Sequence, residues 1–219
     1  MKIALLGGSG RIGGHLLSWA LESGHDVRAL ARDPRALAAV RQPVAAGAGP
    51  GTGSLIATAG DALDASAVAE VIRGSDAVLS ALGPRGAKSP DLLAGAARNI
   101  TAGMAQAGVR RLICVSAAGA FIQGDPDTGA LTKAILPRIF ARPFADTRQM
   151  EAVIRASDLD WTLVRATRLV NTPGTGRYRV RPDYPPPRGR KIARADVADF
   201  IERALLDGDW VHAAPSLGY

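Results

Sequence analysis

At 219 residues, 47% hydrophobic and 21% charged, the chain carries enough apolar material for one large core and too much for a disordered polymer. One cysteine, Cys114, excludes an internal disulfide and a cysteine-based zinc site, and His15, His25 and His212 lie too far apart for ligand spacing, so no metal is expected. The net charge of +7 comes from scattered arginines, with only Lys2, Lys88, Lys133 and Lys191 as lysines, and no aromatic and basic interleaving accompanies it. That pattern reads as a solvated surface favouring anionic small molecules, not as a nucleic-acid or membrane partner.

Short apolar runs alternate with helical stretches along the whole chain. A strand over Ile3–Leu6 leads through a glycine cluster into a helix over Ile12–Ser23, then a strand over Val27–Ala31. Gln42–Ser54, rich in Gly, Ala and Pro, reads as an excursion before the strand at Leu55–Ala59. A helix over Ala65–Arg73, a strand over Ala77–Ala81 and a helix over Pro90–Ala107 follow, the last with Ser89 as its cap. The fifth strand is Leu112–Val115; Gly124–Phe144 reads as irregular; a helix over Thr147–Ala156 precedes the strand Thr162–Val164. Asn171–Arg190 is variable, with a short strand at Tyr178–Val180 and the Pro185–Pro187 run. A helix around Asp196–Leu206 and a strand near Val211 close the chain. Strands that are apolar on both faces and alternate with helices predict an α/β fold, a doubly wound parallel sheet. The expected organisation is one nucleotide-binding domain over 1–219, whose late segments, about 121–145 and 171–190, form a small cap on the substrate side. No apolar run approaches the roughly 20 residues of a membrane span, and the start shows no cleavage-site pattern, so a cytoplasmic setting is expected. The oligomeric state is not legible.

The most informative stretch is Lys2–Gly13, KIALLGGSGRIG, with Gly7, Gly10 and Gly13 in G-x-x-G-x-x-G spacing directly after a strand. The first glycine supplies a tight turn, the second lets backbone approach a pyrophosphate, and the third lets helix pack on strand. The following helix aims its free N–H groups at the phosphates. At the end of the second strand, where an NAD site wants a carboxylate, Arg32 stands first, followed by Asp33 and Arg35. A guanidinium fork matches a 2′-phosphate, and Arg11 can approach the same group, so NADP(H) is preferred over NAD(H). The competing reading has Arg32 solvated and Asp33 holding an NAD ribose. Gly60-Asp61 can serve the adenine amino group, and Leu82-Gly83 lets backbone pass near the nicotinamide ribose; both also read as ordinary turns after strands.

Together these residues resemble the atypical short-chain dehydrogenase/reductase family, with its NmrA-like and NAD(P)-binding members. Ser157–Leu169 is similar to the stretch around that family's sixth strand, with Ala166 where a proline is usual. Arg32-Asp33, Gly60-Asp61, Leu82-Gly83, Gly95–Ile100, Val115–Ala117, Gly176–Tyr178 and the closing Pro215-Ser216…Tyr219 resemble most its biliverdin-IX-beta reductase branch, also described as NADPH-dependent flavin reductase. The resemblance covers most of the chain and implies a Rossmann fold. It also implies cofactor contacts at Gly7, Ser9, Gly10, Arg11, Ile12, Gly13, Arg32, Asp61, Ala62, Leu82 and Gly83, with Ser116 beside the nicotinamide. Arg168 falls on the pocket wall where the flavin reductase carries a histidine, which suits a phosphate or carboxylate on the substrate, such as the FMN tail.

Carbonyl-reducing relatives use a Tyr-x-x-x-Lys pair, in which the phenol protonates the nascent alkoxide. Here Pro84, Gly129 and Pro187 stand four before Lys88, Lys133 and Lys191. A simple ketone reductase is therefore disfavoured. A flavin, quinone or biliverdin-like tetrapyrrole delocalises the incoming charge, so solvent can supply the proton and the protein need only align two rings. The expected function is NADPH-dependent hydride transfer to such an acceptor. Ser116 is the candidate catalytic residue, positioning the nicotinamide or donating a hydrogen bond to the acceptor, while Phe121, Arg168 and Leu169 line the acceptor pocket. Ser116 also reads as a strand-end serine satisfied by backbone, and Phe121 as core. The alternative function is a non-catalytic NADP-binding redox sensor of NmrA type.

Overall fold

The computed structural model describes residues 1–38, 53–83 and 91–219. The strands are β1 (Lys2–Leu6), β2 (Asp26–Ala31), β3 (Leu55–Ala59), β4 (Ala77–Ser80), β5 (Arg111–Ala117), β6 (Asp160–Ala166), β7 (Arg168–Val170), β8 (Arg179–Pro182), β9 (Lys191–Ala193) and β10 (Pro215–Gly218). The helices are α1 (Arg11–Glu22), α2 (Arg35–Ala38), α3 (Ala65–Ile72), α4 (Leu92–Ala107), α5 (Ala130–Ile139), α6 (Ala141–Arg155) and α7 (Arg194–Leu206). Eight strands form one sheet in the order β3-β2-β1-β4-β5-β6-β10-β8, parallel except where β8 runs against β10; β7 and β9 pair separately. This is the doubly wound Rossmann-like arrangement.

Successive strand residues alternate between two cores. Ile3 and Leu5 join Leu16, Leu17, Val197 and Ile201 on the side of α1 and α7, whereas Ala4 and Leu6 join Val68, Ile100, Met104, Met150 and Ile154 on the side of α3, α4 and α6. Cys114 points into the second core, where burial pushes its thiol up to about 12, so it is an inert packing residue.

Four expectations change. Gly124–Phe144 is not irregular: it contains α5 and the first turn of α6. Pro137 sits inside α5 and cannot donate to the Lys133 carbonyl, and the Gln123 side-chain amide donates to that carbonyl instead, at 2.9 Å. The closing strand is Pro215–Gly218, not a segment at Val211. Trp210 (φ 61°) and His212 (φ 55°) take left-handed backbone there, which turns the chain before it can pair. The strand placed at Tyr178–Val180 is Arg179–Pro182 and joins the main sheet as its antiparallel edge. Finally, α4 begins at Leu92; Ser89 and Pro90, like residues 42–52 of the glycine-rich excursion, lie outside the described residues. The helix start is capped from another element, by the buried Asp146 carboxylate of α6, which accepts from the Leu93 and Ala94 amides at 2.9 Å each.

Candidate active site: a glycine-turn cleft beside a buried serine–carboxylate–arginine network

The carboxyl edge of the sheet carries a cleft of about 150 Å3 around the glycine turn. Gly7 takes φ +85°, and a Cβ on it would lie 2.7 Å from the Ala81 carbonyl carbon at the end of β4. A Cβ on Gly13 would lie 2.1 Å from the Gly7 carbonyl oxygen, so α1 can sit this close to β1 only with glycine there. Gly10 caps α1 and, as a glycine, places no side chain of its own on the first amides of the helix. Gly7, Ser9 and Gly10 line the cleft, together with Arg32 from the end of β2, Asp61 and Ala62 after β3, and Leu82 and Gly83 after β4. Gly13 serves the packing of α1, and Ile12 is buried among the apolar residues on the α1 and α7 side. Arg11 is exposed and stands near Arg194, the first residue of α7; burial and then the Arg11 charge hold the Arg194 guanidinium below its ordinary value.

Two acidic residues of this edge are occupied locally. The Asp33 carboxylate accepts from the Arg35 amide at 3.0 Å, leaving the exposed Arg32 as the residue of this pair that lines the cleft. Asp61 accepts from the Leu63 amide at 2.9 Å, and the Asn99 side chain donates to the Ala62 carbonyl at 3.0 Å, fixing the turn after β3.

A second constellation lies on β5 and β6. Ser116 (7% exposed) donates its hydroxyl proton to Glu151 of α6 at 2.6 Å. Arg165 of β6 forks onto the same carboxylate, Nε at 2.9 Å and a terminal nitrogen at 2.6 Å, and sends its third bond to the Asp183 carbonyl at 2.7 Å. Arg155 approaches Glu151 at 3.5 Å. The Arg165 guanidinium also lies 3.6 Å from the centre of the Phe121 ring, at the kink of the 3-10 segment Ala118–Gly124. Here Ser116 is satisfied by a side-chain carboxylate, where a backbone partner was the ordinary expectation for a strand-end serine. Arg168 is exposed on β7, in register with the exposed Lys191, and Leu169 packs half-buried on the α1 and α7 core.

Residues 7–208 match the model of a family described as NAD(P)H-binding. The chain belongs to the NAD(P)H-binding family. It is 31% identical over 211 residues, 94% of this chain and 88% of the other, to YhfK of Bacillus subtilis (strain 168), named an uncharacterized sugar epimerase. Among solved structures it is similar to a protein from Burkholderia pseudomallei described as exported, with 26% identity, full coverage of both chains and a TM-score of 0.79. It also shares its fold with ChuY of Escherichia coli O157:H7, named an anaerobilin reductase, with 24% identity, coverage of 99% and 96% and a TM-score of 0.74.

In this NAD(P)H-binding chain the glycine residues of the cleft are readable from spacing, but Glu151, Arg165, Asn99 and Asp146 are not. Their partners lie 14 to 53 residues away, brought close only by sheet register and helix docking. Phe144 packs on Gly119 and Phe140, and Arg148 donates to the Ala120 carbonyl at 3.2 Å. Among the described residues, no helix is long and apolar enough to cross a membrane.

Proposed function

We propose that this chain is an NADPH-dependent oxidoreductase that passes hydride to a conjugated acceptor, a flavin, a quinone or a tetrapyrrole. The observation that carries the reading is the Ser116–Glu151–Arg165 network. An alkoxide needs a proton donor beside it, and here the serine proton is already taken and no lysine of the sequence has a tyrosine four residues before it. A delocalised acceptor makes no such demand. The reductase name borne by ChuY, on the same fold, supports this class.

When bound, the dihydronicotinamide supplies the hydride. The start of α1 and the Gly7–Gly10 turn would hold the pyrophosphate, and the absence of a side chain at Gly7 and Gly13 lets that turn and the helix start pack close enough to present their backbone to it. Arg32 would take the 2′-phosphate while Asp33 stays on Arg35, which favours NADP(H) over NAD(H). Asp61 and Ala62 would meet the adenosine, and Leu82 and Gly83 the nicotinamide ribose. Phe121, with one ring face held by Arg165, would border the acceptor, with Leu169 as apolar wall, and Arg168 beside Lys191 would attract a phosphate or carboxylate tail.

The name borne by YhfK favours a second reading, a sugar epimerase in which the same cofactor removes and returns one hydride. Such chemistry needs an acid–base group at the sugar hydroxyl, and the Ser116 proton is already given to Glu151. NADPH oxidation followed by absorbance with FMN, riboflavin, a soluble quinone and biliverdin tests the proposal, with a nucleotide sugar as a separate arm. Turnover with one of the conjugated acceptors is expected. Tight NADPH binding without turnover of any of them would overturn the reductase reading and favour a redox sensor.

A further inference from the structure

Arginines are scattered along the chain, but the charge surplus is not. Between Arg168 and Arg194 stand eight basic residues and one acid, Asp183. This stretch therefore carries a net +7, the whole surplus of the protein, and the remainder of the chain is neutral. Like charges gathered in one place repel one another and raise the local concentration of anything of opposite sign.

The fold brings the outer members of the stretch to one corner of the sheet. Arg179 opens β8 in register with Gly218 at the end of β10, and a Cβ on Gly218 would lie 3.2 Å from the Gly189 Cα. The turn that carries Arg188 and Arg190 thus sits against the end of β10, and the Arg179 side chain donates to the Pro187 carbonyl at 2.8 Å. Arg177 stands two residues before Arg179. β10 runs parallel to β6, with Leu217 opposite Ala166, and β6 runs parallel to β5. The corner consequently lies on the same carboxyl edge as the glycine-turn cleft, at the opposite end of the strand order from β2 and Arg32.

Arg177, Arg179, Arg188 and Arg190 are all exposed, and among the described residues none of them pairs with a carboxylate. The acids of this region are occupied or turned away. Asp183 follows β8 at its other end. Buried Asp196 accepts from the Thr175 and Gly176 amides and from Tyr219, and Asp199 accepts from Tyr178 and Arg203. Within β8, Arg181 is neutralised by Asp127 at 2.6 Å, whereas Arg179 is not.

We propose that this corner, formed by Arg177, Arg179, Arg188 and Arg190, docks an acidic segment of a partner protein on the cleft edge of the sheet. Arg168 and Lys191 together suffice for a phosphate or carboxylate tail, so the four exposed guanidinium groups lie beyond what a small acceptor neutralises. A guanidinium fork matches a carboxylate with two parallel hydrogen bonds. Nucleic acid is the other common polyanion, and its unpaired bases bind by stacking on exposed rings. The two rings of this stretch are turned inward. Tyr178 donates to Asp199 at 2.6 Å and meets Phe200 edge-on, and Tyr184 lies against Gly124. The docking surface does not depend on which acceptor, or which reaction, the cleft serves.

The test is fluorescence anisotropy of labelled poly-L-glutamate titrated with the full chain, with oligothymidylate and duplex DNA as parallel probes. Poly-L-glutamate should bind, and added salt should weaken it. Arg177→Glu, Arg188→Glu and Arg190→Glu together should weaken it at least about tenfold. The same reversal of charge at three exposed arginines elsewhere, Arg73→Glu, Arg98→Glu and Arg142→Glu, should cost less than about threefold. Thermal melts report whether both triple variants fold; if the first does not, glutamine at the same three positions reads the same loss. Three outcomes each overturn the proposal. Failure of poly-L-glutamate to bind leaves a solvated face, and equal losses from the two triple variants leave an effect of net charge only. Tighter binding of either nucleic acid through the same arginines makes the corner a nucleic-acid surface instead.

Discussion

Arg32 and Asp33 are neighbours in the chain and separate in the fold, one lining the cleft and the other turned back to the Arg35 amide. Arg32→Ala should therefore weaken NADPH binding by roughly ten- to a hundredfold while changing NADH affinity less than twofold, measured by fluorescence titration. A comparable loss for both cofactors would place the arginine on the shared pyrophosphate and remove the argument for NADPH. Residues of this kind were legible because their chemistry is local: a glycine needed for backbone approach, or a cation at a strand end. Arg11, by contrast, is beside Arg194 of α7, a neighbour that helix packing alone provides. Glu151 and Arg165 were silent for a related reason. Arg165 is an ordinary charged residue in an apolar strand and Glu151 one of several charged residues on its helix, until β6 and α6 bring their side chains to 2.6 Å.

Elements show where periodicity misleads. α5 carries Leu131, Ile135 and Ile139 at helical spacing, yet all three are exposed and a proline interrupts the run, so the segment reads as irregular from composition. The helix holds because Gln123 replaces the missing donor at Lys133. Gln123→Ala should cost about 1 kcal/mol in chemical denaturation. In a Pro137→Ala background, where the backbone N–H returns, that cost should fall by half or more, so the double-mutant cycle reads the substitution of one donor for another directly. Full additivity would mean that the amide does not compensate for the proline. The parallel strands and the helices α1 and α3 were legible to within a few residues because β1, β2, β4, β5 and β6 are largely buried apolar runs, edge strand β3 is apolar though exposed, and glycine or aspartate marks the helix ends. β7 and β9, three residues each, carry too little pattern to announce themselves.

For the molecule as a whole, pH acts through a carboxyl far from the cleft. Burial, with the Asp199 charge as a smaller cause, raises Glu202 of α7 from the ordinary 4.5 to about 7. The folded state thus holds this proton more tightly than the unfolded chain does. Stability is undiminished below about pH 4.5, falls as pH rises through the window from 4.5 to 7, and carries the full cost above it. Glu202→Gln should consequently stabilise the fold at pH 8 by roughly 1–2 kcal/mol, a figure discounted for partial exposure, and by little at pH 4.5, as thermal melts at the two pH values would show. A last consequence follows from α6. Asp146 clasps the first amides of α4, whose Leu92 borders the cleft, and Glu151, five residues on, clasps Ser116. One rigid rod therefore has a hand on each compartment. Deuterium uptake at the Leu93 and Ala94 amides should slow when NADP+ binds, and Asp146→Ala should abolish that protection, making these two positions an intrinsic gauge of how firmly the rod is seated.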